Sequence, residues 1–178
     1  MDLTREEILK RSIADEACEL TGLLVDHKKL VVAALLCQSG SVFKKKISID
    51  WDRISHITKD TIRVEPSDTK DAKSADLERF GPLVDAAVMT ARKRTLGKVV
   101  TFKVESGTGQ ITALWVKTPI KLRGLWRQTL VVARSQIVSA RPGLVIVDDE
   151  IVLSALAPAT TSQFMQSDPE PVLGSEIE

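Results

Sequence analysis

The feature that most limits what this chain can become is a register of short apolar segments that recurs about halfway along it. EILKRSIADEACELTGLLV (7 to 25) lies over PLVDAAVMTARKRTLGKVV (82 to 100) without a gap, 75 residues apart, so that Gly22 meets Gly97 and Ile13 meets Val88. LVVAALLC (30 to 37) lies over GQITALWV (109 to 116) at an offset of 79, and FKKKISIDWDRISHITKDTIRVE (43 to 65) over WRQTLVVARSQIVSARPGLVIVD (126 to 148) at 83. Each growth in offset falls at a loop, where insertion is tolerated. Few letters are identical, so the correspondence is one of register.

That register is β. In VVTFKVE the side chains of Val100, Phe102 and Val104 are expected on a buried face and Thr101, Lys103 and Glu105 on the other, the period of a half-buried strand. SGTG (106 to 109) reads as a tight hairpin and ITALW as its return, with Trp115 expected in the core. ISIDW sets Ile47, Ile49 and Trp51 inward and Ser48 and Asp50 outward, while TIRV (61 to 64) and LVIV (144 to 147) are counterparts. Gly22 and Gly97 mark places where a strand bends or bulges. Each copy therefore predicts five or six short strands in an antiparallel sheet, best closed into a barrel that leaves no exposed edge.

On these segments the chain resembles the PRC-barrel family, whose members include the cytoplasmic part of the photosynthetic reaction-centre H subunit and the C-terminal half of the ribosome-maturation factor RimM. The resemblance rests on AVMTARKRTLGKVVTFKVESGTGQITALWV in the second copy. In the first it rests on EILKRSIADEACELTGLLVD and FKKKISIDWDRI followed by TIRV, with a shortened hairpin at DHKK (26 to 29). It implies an all-β fold of two tandem small PRC-type β-barrels, the first over 1–66 and the second over 82–154. A polar linker, partly helical, spans 67–81, and an acidic tail predicted to be disordered spans 155–178. Barrels of about 65 residues bury only about 60% of the surface of their unfolded chain, so the copies are expected to pack on each other or on a second molecule, as in a homodimer.

Composition limits the function classes. No apolar run approaches the roughly 20 residues of a membrane span, and MDLTREEILKR is charged where a signal peptide is apolar, so a cytoplasmic location is expected. Cys18 and Cys37 have no metal-ligand spacing, Cys37 reads as a buried thiol, and neither metal nor cofactor is expected. The net charge of +1 hides an asymmetry: residues 82–148 carry 11 basic against 3 acidic side chains, and 149–178 carry none against 6.

Candidate sites follow from these charges. Asp50, Asp52 and His56 suggest paired carboxylates with a base, but their counterparts are Ala133, Ser135 and Ser139, so a solvated surface with no cleft is the expectation. His27 reads as an exposed turn residue, and Asp148, Asp149 and Glu150 as solvated charge. The leading candidate is a cationic surface of Arg92, Lys93, Arg94, Lys117, Lys121, Arg123 and Arg127, extended by Lys44, Lys45 and Lys46 from the first copy. The resemblance then implies a non-enzymatic interaction or assembly module for a protein partner; the charges add that its cationic face selects an acidic one, with the acidic tail as internal competitor. Alternatives are an RNA- or ribosome-associated factor and a peripheral component of a membrane complex.

Overall fold

The computed structural model describes residues 1–14, 18–39, 45–65, 80–119 and 129–151, with Lys45 described by its backbone alone. The tail at 155–178, and nearly all of the linker where a helix was expected, lie outside the described residues. What is described is mostly β. The first half runs β1 (Asp2–Thr4), α1 (Arg5–Leu9), β2 (Ser12–Ile13), β3 (Cys18–Asp26), β4 (Val31–Ser39), β5 (Lys45–Asp50), a 3-10 turn (Trp51–Arg53), β6 (Ile54–Ile57) and β7 (Thr61–Val64). The second runs β8 (Ala87–Thr90), β9 (Thr95–Glu105), β10 (Ile111–Lys117), β11 (Thr129–Ala133), a second 3-10 turn (Arg134–Gln136), β12 (Ile137–Arg141) and β13 (Leu144–Val147). The second 3-10 turn and β13 each begin 83 residues after their counterparts at 51 and 61.

The ladders also match between halves. β4 pairs antiparallel with β3 and β5, as β10 does with β9 and β11. The outer pairs, β2 with β7 and β8 with β13, are parallel, which corrects the expectation of a wholly antiparallel sheet. Among the described residues the ladders form three sheets and no ring closes: the seven-stranded sheet runs β11-β10-β9-β8-β13-β12, with β1 added on β9. No ladder joins β2 to β3, so the first half is divided between two three-stranded sheets.

Bulges decide which side chains face inward. Thr101 pairs with Trp115 and Val99 with Val116, which leaves Val100 as the extra residue; it is 38% exposed while Val99, Phe102 and Val104 are buried. A second irregularity at Thr112 turns Ile111, Leu114 and Val116 inward, so Trp115 is half-buried on the outward face rather than in the core. Both corrections have one cause: an inserted residue reverses the alternation beyond it. Gly97 borders a further bulge, at φ +151°, and a Cβ there would lie 2.0 Å from the Lys117 carbonyl oxygen.

One apolar core joins the halves, with Leu35, Ile49 and Ile62 from the first and Phe102, Leu114 and Val145 from the second. The N-terminus fastens across them. β1 lies along β9 with Leu3 opposite Val104, and Lys103 Nζ is 3.2 Å from the Asp2 carboxylate. α1 opens with a capping box, in which Glu7 accepts from the Thr4 N–H at 2.7 Å and donates its own N–H to the Thr4 hydroxyl at 3.3 Å. Burying Leu3 and Ile8 contributes roughly 3 to 6 kcal/mol together.

The hairpin tips of the two halves meet. Val31 bridges antiparallel to Gln110, the Val32 N–H donates to the Gly109 carbonyl at 2.8 Å, and the Ile111 N–H to that of Leu30 at 3.0 Å. Each tip is then covered by the other half's 3-10 turn. The Trp51 indole lies so close over Gly109 that a Cβ there would come within 2.8 Å of the ring. Arg134 reaches the other way, its guanidinium donating to the carbonyls of Lys29 and Leu30, each at 2.7 Å.

Candidate functional site

The described basic residues of the second half gather at one end of its sheet. Thr90, buried at the end of β8, builds the turn: its hydroxyl accepts from the Arg94 N–H at 3.3 Å, its carbonyl from that of Lys93, and Lys93 adopts φ +63°. Arg92, Lys93 and Arg94 are all exposed. β9 starts at this end and β10 finishes there, with the exposed pair Lys98 and Lys117 as direct cross-strand partners. Lys98 was not among the candidates; its signal was the match of β9 and β10 register, which brings it beside Lys117.

β13, parallel to β8, also ends here. The Arg92 N–H donates to Asp149 at 3.3 Å, and the Arg92 guanidinium lies 3.7 Å from the same carboxylate. Asp149 is therefore bound to the basic turn and is not simply solvated. Exposed as Arg92 is, the pair contributes under about 1 kcal/mol, but it sets Asp149, two residues after β13, against the cationic end.

Lys44, Lys121, Arg123 and Arg127 lie outside the described residues. Lys45 and exposed Lys46 stand in β5 opposite Ser39 and Gln38, at the far end of β4. The antiparallel bridge at the hairpin tips sends β4 and β10 away in opposite directions, each for roughly 20 Å at 3.3 Å per residue. Lys45 and Lys46 are thus not brought to the Arg92 end.

Asp50 and Asp52 border a cleft of about 510 Å³ at the junction of the halves, with Asp26, Lys29, Trp51 and Thr108 also on its wall. The absence of a cleft expected there is therefore corrected: its far wall comes from the second half and is invisible to a local reading. His56 is not on this wall; it is exposed on β6 opposite Arg63. The Asp26 carboxylate is engaged in the hairpin tip, accepting from the N–H groups of Lys28 at 3.0 Å and Lys29 at 3.2 Å. The carboxylates and the imidazole are not assembled for proton transfer, and among the described residues no group of three His, Cys, Asp or Glu is placed to hold a metal ion.

His27 is buried, at 4% exposure, in contrast to the exposed turn residue expected. The pairing of Val25 with Gly81 closes the chain over it, with the Cβ position of Gly81 only 3.2 Å from Nε2. Neither ring nitrogen has a hydrogen-bond partner. Desolvation pushes its pKa down from the ordinary value, against the opposing pull of Asp26.

Comparison with known protein families finds no family model that matches this chain, and comparison with curated proteins finds no match either. No helix among the described residues is long and apolar enough to cross a membrane.

Proposed function

We propose that this is a tandem PRC-barrel protein in which two small barrels, related by duplication, form a non-enzymatic interaction module of the cytoplasm. Its basic end would bind an acidic protein partner. The matching order, offsets and pairings of the strands support the duplicated frame. The observation that carries the binding reading is the exposed turn Arg92–Arg94 with Lys98 and Lys117 at the same sheet end. Five cations at one end favour a polyanionic surface over a small substrate. Asp149, already on Arg92, supports a tail that competes for that end.

Binding of the full chain to polyglutamate, single-stranded RNA and phosphatidylserine vesicles tests the reading. Retention of polyglutamate that the triple change Arg92→Glu, Lys93→Glu, Arg94→Glu abolishes is the expected result, with tighter retention at low salt once residues 155–178 are removed. Equal retention by the triple variant defeats it. The RNA reading has one observation of its own, Trp115 on the outward face two residues from Lys117, where a base can stack. RNA bound in preference to polyglutamate, and lost on Trp115→Ala, would replace the protein-partner reading with that one.

A further inference from the structure

The corresponding strands β5 and β11 of the two halves meet solvent very differently. β5 ends its sheet as KKISID, with Lys46 and Asp50 exposed, and such charges oppose pairing with another chain. β11 ends its sheet at the corresponding place as TLVVA and has no charged residue. Thr129, Val131 and Ala133 are exposed, Val131 to 52%. The strand keeps a regular five-residue register with β10 on one side and pairs with no other strand among the described residues. It has no proline, lysine or bulge to discourage a partner, and half-buried Trp115 stands directly beside Val131.

We infer that β11 pairs antiparallel with β11 of a second copy of this chain, about a two-fold axis at Val131, so that the seven-stranded sheet continues from one protomer into its partner. The strand suits itself. About that axis Thr129 faces Ala133, Leu130 faces Val132, and Val131 meets its own copy, so side-chain sizes balance on both faces. Lys117 flanks Thr129, whose opposite number Ala133 is flanked by Ala113, so no cation is set against a cation. An isologous pair uses each edge once and closes at two chains rather than growing into a fibre. A five-residue strand pair falls short of the roughly 800 Å² per partner of a standard interface, so the dimer forms and dissociates with concentration. The inference is independent of what the basic end binds.

Sedimentation velocity of the full chain at rising concentration tests it. The expected result is a shift from monomer to dimer that Val131→Lys weakens at least about tenfold, because two ammonium groups would face each other across the pair. Ser48→Lys, at the corresponding place on β5, leaves the dimer intact. In a Cys18→Ser background, Val131→Cys gives a disulfide-linked dimer on mild oxidation and Thr129→Cys does not, since position 129 faces 133. Unchanged far-ultraviolet circular dichroism of Val131→Lys separates lost pairing from lost fold, and Val131→Glu serves if the lysine variant unfolds. A chain that is monomeric throughout, a dimer indifferent to charge at 131, or cross-linking at 129 in place of 131 would overturn the inference.

Discussion

Trp51 and Arg134 stand at matching positions, 83 residues apart, and each covers the hairpin tip of the opposite half. Beneath them lie Gly109 and Leu30, which also match, at the offset of 79, and which share a left-handed backbone with φ of +70° and +53°. Where an indole lies flat on the tip, the residue under it has no side chain. Where a guanidinium reaches past the tip to its carbonyls, a leucine fits, and the burial of Leu30 offsets the roughly 1 kcal/mol that a left-handed L-residue costs. The turn geometry is common to both halves; the contact that seals it is an apolar ring in one and a pair of charge-assisted hydrogen bonds to backbone carbonyls in the other. Position is the same in both halves, and the chemistry at it differs.

The largest contrast to test lies at the matched glycines. Gly97→Ala drives a Cβ to 2.0 Å from a backbone oxygen of β10 in a conformation that L-residues avoid, so it should cost more than about 3 kcal/mol. Gly22→Ala meets nothing closer than Leu36 at 3.8 Å and should stay within about 1 kcal/mol. Urea midpoints of the two variants provide the comparison. Equal losses would mean that the second half does not depend on the close approach of β9 and β10.

Next in size is the pair of seals. Arg134→Ala removes charged hydrogen bonds to Lys29 and Leu30 and should cost about 2 to 3 kcal/mol, with Arg134→Lys recovering less than half because an ammonium cannot span both carbonyls. Gly109→Ala should cost about 2 kcal/mol and lose about half of that penalty when Trp51 is cut back to Leu, since the clash needs both partners while the roughly 1 kcal/mol of left-handed strain at φ +70° stays. A double-mutant cycle reads this directly. Additive losses would show that Trp51 does not cover that tip.

Much of this frame was legible in the residues. Alternation located the strands, and the offset of 83 set LVIV against TIRV, which are β13 and β7 to the residue. What alternation cannot register is an inserted residue: Val100 and Trp115 were placed on the wrong face because bulges at Val100 and Thr112 shift the parity while the letters keep alternating. The parallel pairing of β2 with β7 was hidden because a two-residue strand has no pattern of its own. The basic end was half legible. Arg92–Arg94 and Lys117 stood out by composition, but Lys98 joined them, and Lys46 left them, only through strand direction. The cleft beside Asp50 could not be read at all, because residues from both halves enclose it.

The smallest expected effect separates the two hairpin tips by pH. The second tip, Ser106–Gln110, has no titratable side chain, whereas the first holds buried His27 without a hydrogen-bond partner. Burial lowers the folded-state pKa of His27 from the ordinary 6.5, so above about 6.5 the imidazole is neutral whether the chain is folded or not and its contribution is complete. As pH falls below that value the unfolded chain takes up the proton first, and stability is lost progressively through the folded pKa. Urea midpoints should therefore decline on acidification to about pH 5.5 in the parent chain and stay flatter in His27→Phe, with carboxylate titration lower on the scale common to both. Equal slopes would show that the imidazole reaches water in the folded chain. A drop confined to the parent would mean that mild acid loosens the tip on which Arg134 closes, while the tip under Trp51 is untouched.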